Sequence, residues 1–187
     1  MWPTELIAGI WVVWFVFWRF AARGAKPDEQ KESIGSRLSY LVPMLVVIAL
    51  VMWQDWPGWL GAQLLDGGWT EYWISVSILA FGLFFAVWAR KTLGDNWSGR
   101  ITVKSGHELI RSGPYRWIRH PIYTGGLLGL IGTALASGKV SGFLGVLLAV
   151  GALVYKLRIE ERVMSAQFGD QYREYRRASW ALVPFFY

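Results

Sequence analysis

His120 sits between Arg119 and Pro121, where a basic, proline-broken stretch gives way to a smooth apolar run. Further along, Glu160 and Glu161 follow another apolar run that ends at Tyr155. An imidazole exchanges protons near neutrality and can bind polar edges of a ligand. Carboxylates so close to a hydrophobic wall are costly unless they are paired or functional. Arg158 and Glu161 are three residues apart and would face each other on a helix. The plain alternatives are open. His120 can be a helix-start residue bonded to backbone, and the glutamates can be surface partners for Arg158 and Arg162. The spacing of the only two histidines, His107 and His120, fits no familiar metal-ligand pattern, and with no cysteine there are no thiolate sites. No Gly-x-Gly-x-x-Gly follows a strand, and there is no Walker loop. The residues alone therefore support a site of His, Arg and Glu, and no metal.

The elements that must position these groups read as membrane helices. The chain has 187 residues, 54% hydrophobic, with 13 tryptophans, and its mean hydropathy is positive. Its charges lie in blocks separated by uncharged stretches. Five apolar segments stand out: Glu5 to Ala22, Leu38 to Trp56, Tyr72 to Ala89, Tyr123 to Ala136 and Val140 to Tyr155. The last two are short for a span and are separated only by Ser137 to Lys139, which predicts a tight helical hairpin. The first lacks the flanks of a cleaved signal and is expected to be a mature helix.

Lys and Arg set the orientation. Going along the chain, the connections and tail carry 5, 0, 7, 1 and 6 of them. The alternation predicts an outside N-terminus, with the third connection and the tail cytoplasmic. The formal net charge of +6 then reflects cytoplasmic loops and not nucleic-acid binding. Trp53, Trp56, Trp59, Trp69 and Trp73 flank the loop that has no Lys or Arg, as an interfacial belt would. The third connection, Arg90 to Ile122, holds Ser-Gly turns and two prolines, so it is expected to be ordered. In the tail, Gly169 is expected to end one helix and Asp170 to cap the next.

The run "GHELIRSGPYRWIRHPIYTG", followed by "EER", "FGDQYREY" and "VPF", resembles the isoprenylcysteine carboxyl methyltransferase family and the related phospholipid methyltransferases. The likeness covers the chain from Leu93 onward. It implies an all-α integral membrane enzyme of about five transmembrane helices, with a cytoplasmic S-adenosylmethionine pocket formed by the third connection and the C-terminal helices. It also implies that His107, Leu109, Ile110, Gly113, Tyr115, His120, Pro121, Tyr123, Gly125, Glu160 and Glu161 line the cofactor. Arg158 and Arg177 are the candidate catalytic cations for a carboxylate acceptor, and Asn96 is a candidate substrate contact. Where the family pattern has an arginine after the tail tyrosines, this chain has Ala178, preceded by Arg176 and Arg177.

The resulting expectation is one domain over 1–187, with an N-terminal three-helix part (1–92) and a cofactor-binding part (93–187). The activity implied is methyl transfer to a lipophilic small molecule or prenylated peptide, first the carboxyl of an isoprenylcysteine-like substrate. Alternatives are a phospholipid amine N-methyltransferase, an NADPH-dependent membrane reductase and a non-enzymatic lipid-binding protein. The membrane expected is a bacterial or archaeal inner membrane.

Overall fold

The computed structural model describes residues 4–21, 34–97 and 108–184. Six α-helices make up the described chain: α1 (Thr4–Ala21), α2 (Ile34–Met52), α3 (Trp69–Leu93), α4 (Pro121–Ser137), α5 (Val140–Phe168) and α6 (Asp170–Arg177). The five apolar segments are thus α1 to α5, as the hydropathy pattern predicts. Four of them, α1, α2, α3 and α5, are long and apolar enough to cross a membrane. The 17-residue α4 is about 26 Å long, shorter than a hydrocarbon core of about 30 Å.

The fifth segment differs from the expectation. It does not stop near Tyr155 but runs unbroken for 29 residues to Phe168. Leu153, Leu157 and Glu161 recur every fourth residue and are all buried, so one face keeps its packing while charges appear around it. Gly169 ends the helix as expected, at φ 52°. Asp170 is the first residue of α6 and not its cap, because Gly169 occupies the cap position.

α3 and α4 pack most extensively, followed by α2 against α5 and α4 against α5. Small residues set the α3–α4 distance. A Cβ on Gly82 would lie 2.6 Å from the Gly125 carbonyl oxygen, and one on Gly132 would lie 2.6 Å from that of Ser75. Such backbone approach suits a medium where van der Waals packing drives helix association. The core contains Val47, Val51, Leu79, Leu83, Leu127, Leu130, Ala149 and Leu153. α1 lies on its edge, where buried Trp11 donates a 3.0 Å hydrogen bond to the Thr133 hydroxyl. Phe15, Val16, Leu45, Phe81, Phe84 and Leu147 face outward.

The two ends of the bundle differ. At one end the connection between α2 and α3 caps the α4–α5 hairpin. Gly138, left-handed at φ 64°, accepts hydrogen bonds from the backbone N–H groups of Leu64 (2.7 Å) and Leu65 (3.1 Å). Gln63 donates to the Ser137 carbonyl at 2.9 Å, and Lys139 donates to that of Gln54. The opposite end holds the C-termini of α3 and α5, the start of α4, and α6. There Arg90 donates to the carbonyls of Gly94 (2.7 Å) and Ala21, and its guanidinium lies 4.7 Å from the centre of the Trp97 ring.

Candidate functional site

The polar end is assembled by a return of the chain onto itself. A 3-10 turn at Gly113–Arg116 leads into Trp117–His120. Residues following α6 lie alongside this stretch in a single parallel bridge between Ile118 and Trp180. The N–H groups of Arg119 and His120 donate to the carbonyls of Trp180 (2.8 Å) and Ala181 (3.0 Å), and Trp180 N–H donates to Trp117 (2.9 Å). The Thr124 hydroxyl continues the seam to the Leu182 carbonyl at 2.7 Å. Pro121 is fully buried at the first position of α4, where its missing N–H costs nothing.

His120 precedes α4 but its side chain does not cap the helix. Its ring instead lies between two carboxylates. Nδ1 is 3.5 Å from Glu160 Oε2, and Nε2 is 3.5 Å from Glu161 Oε1. The second contact has charge attraction without hydrogen-bond geometry, so Nε2 is a buried nitrogen with no hydrogen-bond partner. Burial pushes the imidazole toward its neutral form, but the two glutamates outweigh it and raise its pKa above the ordinary value. The ring also stacks on Tyr123 at 5.7 Å between centroids, 10° from parallel.

The two glutamates have different neighbours. Glu160 accepts a hydrogen bond from the Tyr123 hydroxyl and lies 3.7 Å from the Lys156 ammonium. That ammonium sits 4.6 Å from the Tyr40 ring centre on α2 and 5.0 Å from that of Tyr123 on α4. Glu161 accepts a 2.7 Å hydrogen bond from Arg119 Nε, and Arg176 Nε is 3.3 Å from its other oxygen. Arg119 also donates to the carbonyls of Arg176 (3.2 Å) and Ser179, where the dipole of α6 favours a cation. Arg111 holds the start of α6 through a 2.6 Å hydrogen bond to the Gln171 carbonyl. Between these anchors, the Tyr175 hydroxyl donates to the Tyr115 carbonyl at 2.6 Å. Burial pushes the Tyr175 phenol up to about 12, so it remains a donor at neutral pH.

His120, Tyr123, Glu160 and Glu161 therefore form one cluster, with Pro121 buried beneath. Tyr115 is buried nearby, and Gly113 turns the chain at φ 56° beside Thr92. Leu109 and Ile110, just before that turn, are half-buried. Gly125 lies apart, against Gly82 and Ala86 of α3. Asn96 accepts a 3.3 Å hydrogen bond from the backbone of Glu108, which ties the third connection to the end of α3. Arg158 and Arg177 are exposed, and Glu161 pairs with Arg119 and Arg176 in place of Arg158. His107 lies outside the described residues. Arg119, Lys156, Arg176 and Tyr40 join the cluster without having been singled out. Arg119 was legible as part of Arg-His-Pro, and Lys156 as the i−4 neighbour of Glu160. Nothing in the sequence marks Tyr40. No group of three His, Cys, Asp or Glu side chains suited to a metal occurs among the described residues.

The family model described as phospholipid methyltransferase matches residues 70–171, more than half the chain. Cobalt-zinc-cadmium resistance protein CzcN of Cupriavidus metallidurans is 32% identical over 66% of this chain and 57% of its own length. Methanethiol S-methyltransferase of Mycobacterium tuberculosis is 27% identical over 79% of this chain and 63% of its own. A protein-S-isoprenylcysteine O-methyltransferase of Schizosaccharomyces pombe is 28% identical over 59% of this chain and 48% of its own. The chain thus spans roughly half to three-fifths of these relatives. Among solved structures, the eukaryotic intramembrane Ras methyltransferase ICMT (isoprenylcysteine carboxyl methyltransferase) superposes with a TM-score of 0.59 at 21% identity, covering 84% of this chain and 55% of that one. That likeness shows the fold, an all-helical integral membrane architecture.

Proposed function

Because the chain belongs to the phospholipid methyltransferase family, we propose that it is an S-adenosylmethionine-dependent membrane methyltransferase with a lipophilic acceptor, first an isoprenylcysteine-like carboxylate. The observation that carries this reading is the buried His120 Nε2, without a hydrogen bond, between Glu160 and Glu161 at the polar end of the bundle. Two carboxylates and a free imidazole nitrogen fit a molecule bearing an ammonium, a sulfonium and ribose hydroxyls. When bound, S-adenosylmethionine supplies an electrophilic methyl group on sulfur.

Each residue has a part in holding such a ligand. Glu160 offers its carboxylate to the ammonium or ribose. His120 offers Nε2 to a polar edge, with Pro121 and the Ala181 hydrogen bond fixing its backbone. Tyr115 and Tyr123 supply aromatic surface, and Leu109, Ile110 and Gly113 line the approach. Glu161 keeps the C-terminal segment closed through Arg119. Displacement at a methyl carbon depends on alignment and on a dry site. The apolar exterior of the helices suits lateral delivery of a lipidic acceptor from the bilayer. Asn96 would act indirectly, by shaping the third connection. The relatives include a methyltransferase named for methanethiol over 79% of this chain, which supports a thiol as the second acceptor class.

The domain reading is a single unit in which residues 93–187 hold the cofactor against the first three helices. The Lys and Arg alternation supports a cytoplasmic site and an outside N-terminus, in a bacterial or archaeal inner membrane. Calorimetric titration of S-adenosylhomocysteine into detergent-purified protein tests the reading. Wild type is expected to bind, and His120→Ala and Glu160→Gln to weaken binding about tenfold or more by loss of charged hydrogen bonds. No binding by folded wild type, or unaltered binding by both variants, refutes it.

A further inference from the structure

Lys156 has no part in holding the cofactor. Its side chain retains only 15% exposure. An ammonium carries three donors, yet among the described residues this one makes no hydrogen bond. Its neighbours are the Glu160 carboxylate at 3.7 Å, beyond hydrogen-bond length, and the faces of Tyr40 and Tyr123 at 4.6 and 5.0 Å. Two aromatic faces hold a cation without using its donors. Arg158 and Arg177, the cations expected for an anionic acceptor, are exposed. Arg119 and Arg176 are committed to Glu161, and Arg119 also to the end of α6. Among the described residues, Lys156 is a cluster ammonium whose donors are uncommitted, and it borders His120's carboxylate partner.

We propose that Lys156 is the acceptor-binding cation, and that this enzyme takes its methyl acceptor as an anion, a carboxylate or thiolate, and rejects protonated amines. The inference rests on the methyltransferase reading and specifies its substrate class. The acceptor arrives with its proton already released to water, and its anion accepts hydrogen bonds from the ammonium. Its lone pair forms the new bond to the methyl carbon. The carbon–sulfur bond of the sulfonium breaks, and its electron pair stays on sulfur as S-adenosylhomocysteine. The methylated product, an ester or thioether, is neutral and loses its attraction to Lys156, which favours release. An aliphatic ammonium at the same place faces the like charge of Lys156.

The test compares wild type with Lys156→Met and Lys156→Arg, on a long-chain alkanethiol, N-acetyl-S-farnesylcysteine and phosphatidylethanolamine. S-adenosylhomocysteine binding is measured alongside. Lys156→Met is expected to keep binding S-adenosylhomocysteine but to raise KM for the anionic acceptor about ten- to a hundredfold, with Lys156→Arg recovering most of the loss. The thiol's pH–rate profile is expected to shift toward higher pH in Lys156→Met, because the thiolate loses its cation. Glu160 on the same helix, Tyr123 on α4 and Tyr40 on α2 are the other titratable groups facing the ammonium, and none is altered in that variant. Unchanged KM and unchanged pH profile in Lys156→Met overturn the assignment. So does methylation of phosphatidylethanolamine in preference to both anions. Absence of S-adenosylhomocysteine binding in wild type overturns the methyltransferase reading itself. If Lys156→Met is unfolded, Lys156→Gln, uncharged but still polar, replaces it with the same expected outcomes.

Discussion

Replacing Arg119 by alanine should undock the C-terminal helix. Its guanidinium donates to Glu161 at 2.7 Å and to two carbonyls at the end of α6. Both partners of the pair are nearly buried, with side-chain exposures of 9% and 11%. Removing one partner of a buried pair costs about 3–5 kcal/mol, because the other charge is left uncompensated. Arg176 still faces Glu161 at 3.3 Å but is half exposed, so the lower end applies, about 3 kcal/mol. For a chain of this size that lowers the melting temperature by roughly 6–12 °C. Glu161→Gln tests the same pair from the other side. If the two groups act through each other, the double variant melts little below the singles, with a coupling on the order of 2 kcal/mol. Thermal unfolding in detergent gives these values, and tryptic cleavage in α6 reports undocking directly. A melting temperature for Arg119→Ala equal to wild type, or losses that simply add in the double variant, would refute the clamp.

The glycine seam gives a second prediction: Gly125→Leu should abolish accumulation of folded protein by forcing α3 from α4, whereas Gly126→Ala, with open space around it, should melt like wild type. The raised pKa of His120 predicts a pH dependence. Its contribution is fully present below the unfolded value of about 6.5 and is lost as pH rises through the folded value. The melting temperature should therefore fall on raising pH from near 6.5, and His120→Gln should flatten that slope. A slope retained in the variant assigns the effect elsewhere. Trp11→Phe should cost about 1 kcal/mol, since Thr133 keeps its 2.8 Å bond to Gly129. A drop of about 2–4 °C in the melting scan is expected.

Much of the architecture was legible because apolar runs and turn residues are local. Ser137 to Lys139 announces the hairpin, and Gly169 announces a helix end. The extension of α5 was not legible, since Lys156, Arg158 and Arg162 look like the start of a tail. Only the spacing of Leu153, Leu157 and Glu161 keeps the helix packed, and that depends on what faces it. The Arg-His-Pro and Glu-Glu motifs pointed to residues that do meet. Which arginine meets Glu161 was not readable, because helical neighbours such as Arg158 compete with partners far along the chain. Arg119 wins through the return of residues 179–182, a tertiary event without a local signal. The same holds for Tyr40, brought to Lys156 by the packing of α2 on α5.

That return has a consequence for biogenesis. Helices α1 to α5 can enter a membrane as they emerge from the ribosome, each satisfying its own backbone. The Arg119–His120 stretch cannot reach its final hydrogen bonds until Trp180, Ala181 and Leu182 have been made. A nascent chain stopped in α6 would be inserted and helical, yet would leave the Arg119 and His120 N–H groups without the carbonyls that close the seam. Closure of the polar end thus waits for residues 180–182, made about sixty residues after the stretch they seal.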